Sequence, residues 1–380
     1  MSAGIYLHIP FCKSRCSYCD FATDVFKNTE TVERYVNALC EEITNFKFQI
    51  SNFKSKIDTI YFGGGTPSLL SANQLEKILD ALHKSFALDE NIEFTLEMNP
   101  ATVTLEKLQN FKSLGVNRAS FGVQTFDDRA LKILARGHDA NDARNTFKLL
   151  REANFENISF DLIAGLPHQT LQNWEDNLNQ ALSLQPEHLS LYLLEIHEST
   201  PLAEQIRKQR QPLPDEDLAA EMYELMLKKI GKFGYTQYEI SNFAKPNFES
   251  RHNSKYWLCE PVFAFGVSAH SFDGKNTRWS NERDTNKYVQ IIENGESPIV
   301  EKNELDNMQV AGEFAFLRLR LNQGLDLQEY KANFGIDLQI KYAEDLKYLE
   351  EAGLIKFENN HLKLTQKGMV YSNEVFAVFV

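Results

Sequence analysis

Three cysteines within eight positions, Cys12-Lys-Ser-Arg-Cys16-Ser-Tyr-Cys19, are the residues of this 380-residue chain whose types and spacing most directly suggest chemistry. Thiolates on one short loop can converge on a single centre, and their softness selects iron–sulfur or zinc over hard ions. In a four-iron, four-sulfur cubane they would hold three irons and leave the fourth open to an exogenous chelate. That arrangement separates a reactive cluster from a fully ligated electron carrier. A zinc site with His8 or Asp20 as fourth ligand also fits the spacing, although no second pair of ligands of the usual structural kind lies nearby. Packing alone fits poorly, because Lys13, Ser14, Arg15 and Ser17 make the loop polar.

A second element is Gly63-Gly64-Gly65, followed by Thr66-Pro67, at the end of a β-rich run. Three glycines in succession at a strand end favour close approach of a ligand where side chains are absent. No Gly-Lys-Ser or Gly-Lys-Thr follows, so this is not a phosphate loop. Glu97 ends the next β-rich run. Ile92, Phe94, Leu96 and Met98 take the alternate positions, so Glu97 shares the opposite face with Glu93 and Thr95. Solvent exposure or a salt bridge inside a barrel is the ordinary account of such a carboxylate.

The elements that position these residues alternate. Candidate strands are Ile5–Ile9, Ile57–Phe62, Ile92–Met98, Arg118–Val123, Ile158–Ile163 and His188–Leu194. Between them run apolar stripes of helical period: Val32, Val36, Leu39, Ile43 and Phe46, then Leu75, Ile78, Leu79, Leu82 and Phe86. Repeated βα units imply parallel strands covered by helices. Six units fall short of the eight of a closed barrel, so the expected class is α/β, an open, curved barrel or a doubly wound sheet over residues 1–240, in either case with its chemistry beyond the C-terminal strand ends. Residues 241–283 change character, with clustered aromatics and little periodicity, as suits a segment that wraps the open side or forms a ligand-facing loop, and 241–307 is the expected extent of that region. Residues 308–380 form a small helical unit in which 339–352 is helical, Gly353 ends the helix, and 354–364 is a hairpin, together winged-helix-like.

A formal charge of −13 argues against a surface that tracks phosphate backbones, and no nucleic-acid partner is expected. No run is long and apolar enough to cross a bilayer, and the N-terminus lacks a secretion signal, so the cytoplasm is the expected location. The five cysteines do not form a disulfide framework.

The C-x3-C-x2-C loop after the first strand resembles the signature of the radical S-adenosylmethionine superfamily. Together with Tyr6-Leu-His-Ile-Pro-Phe-Cys12, Phe62-Gly-Gly-Gly-Thr-Pro-Ser68, Asp161-Leu-Ile-Ala-Gly-Leu-Pro167 and the small C-terminal unit, it resembles the oxygen-independent coproporphyrinogen oxidase family, nearest its haem-chaperone branch. The resemblance implies a partial (β/α)6 radical-SAM barrel over residues 1–240, with a 4Fe–4S cluster on Cys12, Cys16 and Cys19 that holds and reductively cleaves S-adenosylmethionine. It implies a cofactor cradle of Gly63, Gly64, Thr66, Glu97, Gln124, Arg136 and Asp161, with Arg136 pairing the methionine carboxylate, Asp161 accepting from ribose hydroxyls, and Tyr6 and Tyr18 as walls. Arg251-His252-Asn253-Ser-Lys-Tyr256-Trp257 matches the H-N-x-x-Y-W motif of the chaperone branch, which implies His252 as haem contact and candidate iron ligand, with Tyr256 and Trp257 shaping the pocket. Cys259 is a competing thiolate. The oxidase carries another cysteine two positions after the third cluster ligand, where this chain has Phe21. The chaperone reading implies haem, haem-acceptor proteins such as respiratory membrane proteins, peripheral membrane contact and a homodimer as associations; the alternatives are radical decarboxylation of coproporphyrinogen III and a structural zinc protein.

Overall fold

The computed structural model describes residues 2–46 and 56–380. Six parallel strands, β1 (Ala3–Ile9), β2 (Ile57–Gly64), β3 (Leu88–Met98), β4 (Arg118–Gln124), β5 (Asn157–Ala164) and β6 (His188–Leu193), lie side by side in chain order. Successive crossovers of one hand produce this order. The expected stripes face the sheet: helix Thr29–Phe46 buries Val32, Val36, Leu39 and Ile43, and helix Ala72–Ser85 buries Leu75, Ile78, Leu79 and Leu82. Helices Ala72–Ser85, Ala140–Glu152 and Leu171–Leu184 each begin with a reciprocal capping box, on Ser71, Asp139 and Thr170, which satisfies backbone donors at their first turns.

The barrel stays open. Outside β1 lies Val262–Phe265, parallel to it, followed by the antiparallel strands His270–Phe272, Thr277–Asn281 and Ile299–Glu304. Outside β6 lie Asn242–Ala244 and Thr236–Glu239. The stretch expected to lack periodicity therefore extends both edges of the sheet. Its strands are short, and Val262–Phe265 is buried at every position, so no alternation betrays it.

Helix Arg251–Trp257 turns back against the barrel. Besides the Ser250 cap, the Glu93 carboxylate accepts from the backbone N–H groups of Arg251 and His252, both at 2.9 Å, a favourable place for negative charge. This clamp fixes where His252 points.

In the C-terminal unit, Leu325–Asp326, His361–Leu364 and Ile355–Glu358 form a three-stranded sheet. The hairpin turns on Asn359 and Asn360, both in the left-handed region at φ 49° and 64°. The helix expected over 339–352 is broken at Tyr342 into Leu338–Lys341 and Ala343–Glu351. Helix Asn307–Arg320 joins the unit to the sheet: Ile240 N–H donates to Arg320 O at 3.2 Å, and Arg320 pairs at 3.4 Å with Glu239, whose side chain is fully buried. Among the described residues no helix is long and apolar enough to cross a membrane.

Arg320→Met strips the buried Glu239 of its cation and should cost about 3 kcal/mol of stability, as breaking a buried pair does. Urea denaturation measures it; an unchanged midpoint means the pair does not anchor the unit.

Candidate functional site

The cysteine loop leaves β1 and is closed on itself by pairing of Phe11 with Asp24 and Cys12 with Val25. Further ties hold its middle. Ser17 donates from its backbone and its hydroxyl to Leu134 O and Ile133 O, both at 2.9 Å, and its own carbonyl accepts from Leu202 N–H at 2.8 Å. His8 Nε2 lies 2.8 Å from Ala22 O and so carries the proton, while Nδ1 faces the Tyr6 hydroxyl at 3.2 Å. Asp20 accepts from Ser199 Oγ at 2.6 Å. Both candidate fourth ligands for zinc thus already carry hydrogen-bond partners. Among the described residues, no three His, Cys, Asp or Glu side chains gather closely enough to ligate one ion.

Two of the three thiols join the hydrogen-bond network of a buried arginine. Arg136 Nη1 donates to Cys16 Sγ at 3.5 Å, and Nη2 donates to Asn99 Oδ1 at 2.8 Å and Gly122 O at 2.7 Å. Asn99 Nδ2 passes the network to Thr66 Oγ1 at 2.7 Å, and that hydroxyl donates to Cys12 Sγ at 3.6 Å. Burial pushes the Cys12 thiol up to about 11 and also raises Cys19. Such thiols lose their protons to soft metal. Soft donor chemistry and the bonds that tie Cys12 and Cys16 to one buried network fit a cluster held by Cys12, Cys16 and Cys19.

The glycine run also answers a packing constraint within the protein itself. A Cβ at Gly63 would meet the Tyr6 ring at 2.9 Å, one at Gly64 the His8 ring at 2.7 Å, and one at Gly65 the carbonyl of Pro10 at 2.7 Å. The missing side chains make room for β1 and the start of the cysteine loop. Gly64, at φ 106°, also aims its N–H at Glu97 Oε2, 3.2 Å away, while Tyr61 OH donates to Oε1 at 2.7 Å. Glu97 accordingly faces the barrel interior. Burial pushes its carboxyl up to about 7, and that of Asp161, beside Ser190 in mid-strand, up to about 6. Gln124 ends β4 in the left-handed region at φ 64°, a strained conformation for a residue other than glycine. Arg136 Nε is buried without a partner among the described residues, open to an acceptor such as a carboxylate.

One cavity of about 210 Å³ brings these parts together: Tyr6, Tyr61, Gly64 and Glu97 from the strands, Phe21 from the cysteine loop, and His252, Asn253 and Tyr256 from the helix. His252 is buried, with Nδ1 at 2.8 Å from Thr59 Oγ1, Nε2 at 3.2 Å from Tyr256 OH, and its ring stacked 5.1 Å from Tyr61. Burial, then Lys255 and Arg118, depress its pKa to about 3, so the imidazole is neutral and suited to ligation once Nε2 is freed. Trp257 does not reach this cavity; its ring lies under the Arg320 guanidinium at 4.3 Å. Tyr18 packs with Ile163 and Leu166. Burial raises the Cys259 thiol to about 12, and Cys259 is not among the residues that line this cavity.

The chain matches the model of the Radical SAM superfamily over residues 6–181 and that of the HemN C-terminal domain over residues 305–371. It is 39% identical to a Bacillus subtilis protein named "Heme chaperone HemW" over 99% of this chain and 98% of the relative, and 31% identical to an Escherichia coli protein of the same name over 99% and 98%. The chain belongs to the HemW family of radical SAM proteins. The HemW-family fold is shared with Escherichia coli coproporphyrinogen III oxidase, HemN: its structure superposes with a TM-score of 0.87 over 100% of this chain and 90% of that one, at 22% identity. The expected α/β class, a radical-SAM barrel with a small C-terminal unit, is borne out. Asn99 and Tyr61 were missed, although Tyr61 shares a strand face with Gly63 and period two could have found it.

Gly65→Ala drives a methyl into the Pro10 and Phe11 carbonyls. It should destabilise the protein by about 1–3 kcal/mol and lower the iron and sulfide retained after anaerobic reconstitution. Native cluster content with unchanged melting would refute the packing role of the glycine.

Proposed function

We propose that this chain is a haem chaperone: it holds a 4Fe–4S cluster on Cys12, Cys16 and Cys19, seats S-adenosylmethionine against Gly64, Thr66, Glu97, Gln124, Arg136 and Asp161, and takes haem as cargo at His252. The observation that carries the reading is the single cavity whose walls include both Glu97 and His252. When bound, cluster and S-adenosylmethionine supply one-electron chemistry at the sulfonium. The chain's own residues orient and exclude water: Arg136 offers a free buried donor to a carboxylate, and Glu97 offers a carboxylate to an ammonium. The neutral His252 imidazole offers an iron ligand. Propionate decarboxylation is disfavoured because position 21, which lines the cavity, is phenylalanine where the oxidase has a thiol. Haem-acceptor proteins, a cytoplasmic location with peripheral membrane contact, and a domain division near residues 240 and 307 belong to this proposal.

Titration with haem after reconstitution should show His252→Ala binding at least about tenfold more weakly, the loss of one ligand bond, with iron and sulfide content intact. Equal haem affinity and transfer in the variant would remove His252 from the account.

Glu97 supplies a second check with a defined sign. Its folded carboxyl lies at about 7, above the ordinary value, so it is largely protonated below neutrality and gains charge as pH rises. A cationic ligand therefore binds more tightly at pH 8 than at pH 6. Calorimetry on reconstituted protein should show this rise for S-adenosylmethionine and a flatter profile for Glu97→Gln. The same slope in both proteins would mean that another group sets it.

A further inference from the structure

A second cavity, of about 270 Å³, lies across Tyr256 from the first and is lined by Tyr256, Trp257, Glu260, Phe272, Arg278 and Leu317. It is built where three parts of the chain meet: the helix that carries His252, the sheet edge beyond β1, and helix Asn307–Arg320 of the C-terminal unit. Its aromatic walls suit a flat apolar ligand. The Tyr256 and Trp257 rings stand 6.3 Å apart, and the Arg278 guanidinium backs Phe272 at 4.4 Å.

Its polar atoms add a second requirement. The charged groups at its rim are already neutralised, Arg278 by Glu313 and Glu260 by Lys255. The Trp257 indole Nε1 and, stacked on that ring, Arg320 Nε are buried donors with no acceptor among the described residues. A buried indole N–H ordinarily finds a partner, and leaving such a bond unmade is costly. The Trp257 donor, on a side chain that lines an aromatic-walled cavity, lacks an acceptor of the kind a carboxylate supplies.

Tyr256 connects this cavity to the first. It lines both, is partly exposed, and places its hydroxyl on His252 Nε2, the nitrogen that iron would need. Each cavity is smaller than the roughly 300 Å³ at which small-molecule sites begin, whereas the two joined exceed it.

We propose that the second cavity receives a carboxylate-bearing edge of the porphyrin, with the Trp257 indole N–H donating to that carboxylate, and that Tyr256 is a partition which leaves His252 Nε2 so that the macrocycle spans both cavities. The inference rests on the proposed haem role of His252. Each residue of the motif then has its own part: His252 meets iron, Tyr256 guards it, and Trp257 reads the acidic edge.

The test compares ferric protoporphyrin IX with its dimethyl ester, whose carboxylates are capped, by equilibrium titration of the reconstituted full-length protein. The native chain should prefer the free acid by about tenfold or more, as expected of a hydrogen bond to a charged group. Trp257→Phe, which keeps the ring and removes the donor, should bring the ratio near one. Tyr256→Phe should bind both porphyrins more tightly with the preference intact, since it frees Nε2. Parity between acid and ester in the native chain overturns the carboxylate contact without any variant; a preference that survives Trp257→Phe, or weaker binding in Tyr256→Phe, overturns it or the partition. Failure of the native protein to bind either porphyrin instead overturns the haem reading itself.

Discussion

A buried guanidinium holds the reactive rim together. Arg136 reaches a sulfur on the cysteine loop, a carbonyl on β4 and the Asn99 amide that follows β3, and Asn99 extends the chain of bonds through Thr66 to Cys12. A buried cation is tolerated only when its surroundings compensate it, and here the compensating groups come from three separate segments. The cation therefore fixes the loop against the strand ends. It also favours thiolate at the cysteines, against the burial that raises Cys12 and Cys19.

The barrel interior follows the same physics with the opposite outcome. Glu97, Asp161 and His252 all shift toward their neutral forms, and in each case burial is the largest cause. Charge is thus suppressed there until a ligand brings its complement. Such a site favours ligands that carry ammonium, carboxylate or metal groups, since water competes poorly for groups already removed from it. The clamp of Glu93 on helix Arg251–Trp257 brings the neutral His252 to this interior and leaves Trp257 outside it.

Much of this was legible in the residues. The cysteine spacing, the βα alternation and the helical stripes carry their own periodicities, and the structure keeps them. The packing part of the glycine run was not legible, because glycine marks close approach without saying of what: at Gly65 the neighbour is the Pro10 backbone. The break at Tyr342 left no mark in a pattern that stayed helical on both sides, and beyond β1 Val262–Phe265 is buried throughout and Ile299–Glu304 exposed almost throughout, so neither shows alternation. The separation of Trp257 from His252 follows from helical period, since residues five apart on a helix share no face, but this stretch was expected to lack periodicity. Asn99 contributes through contacts with Thr66 and Arg136, distant in the chain, that no local pattern announces.

Reciprocal linkage tests most directly whether one compartment serves both the cofactor cradle and the cargo histidine. Haem affinity of the reconstituted protein is measured with and without saturating S-adenosylmethionine, and S-adenosylmethionine affinity with and without haem. A shared cavity predicts that each ligand changes the other's dissociation constant by the same factor, distinct from one. Constants that do not move in either direction would mean two independent sites and would contradict the account.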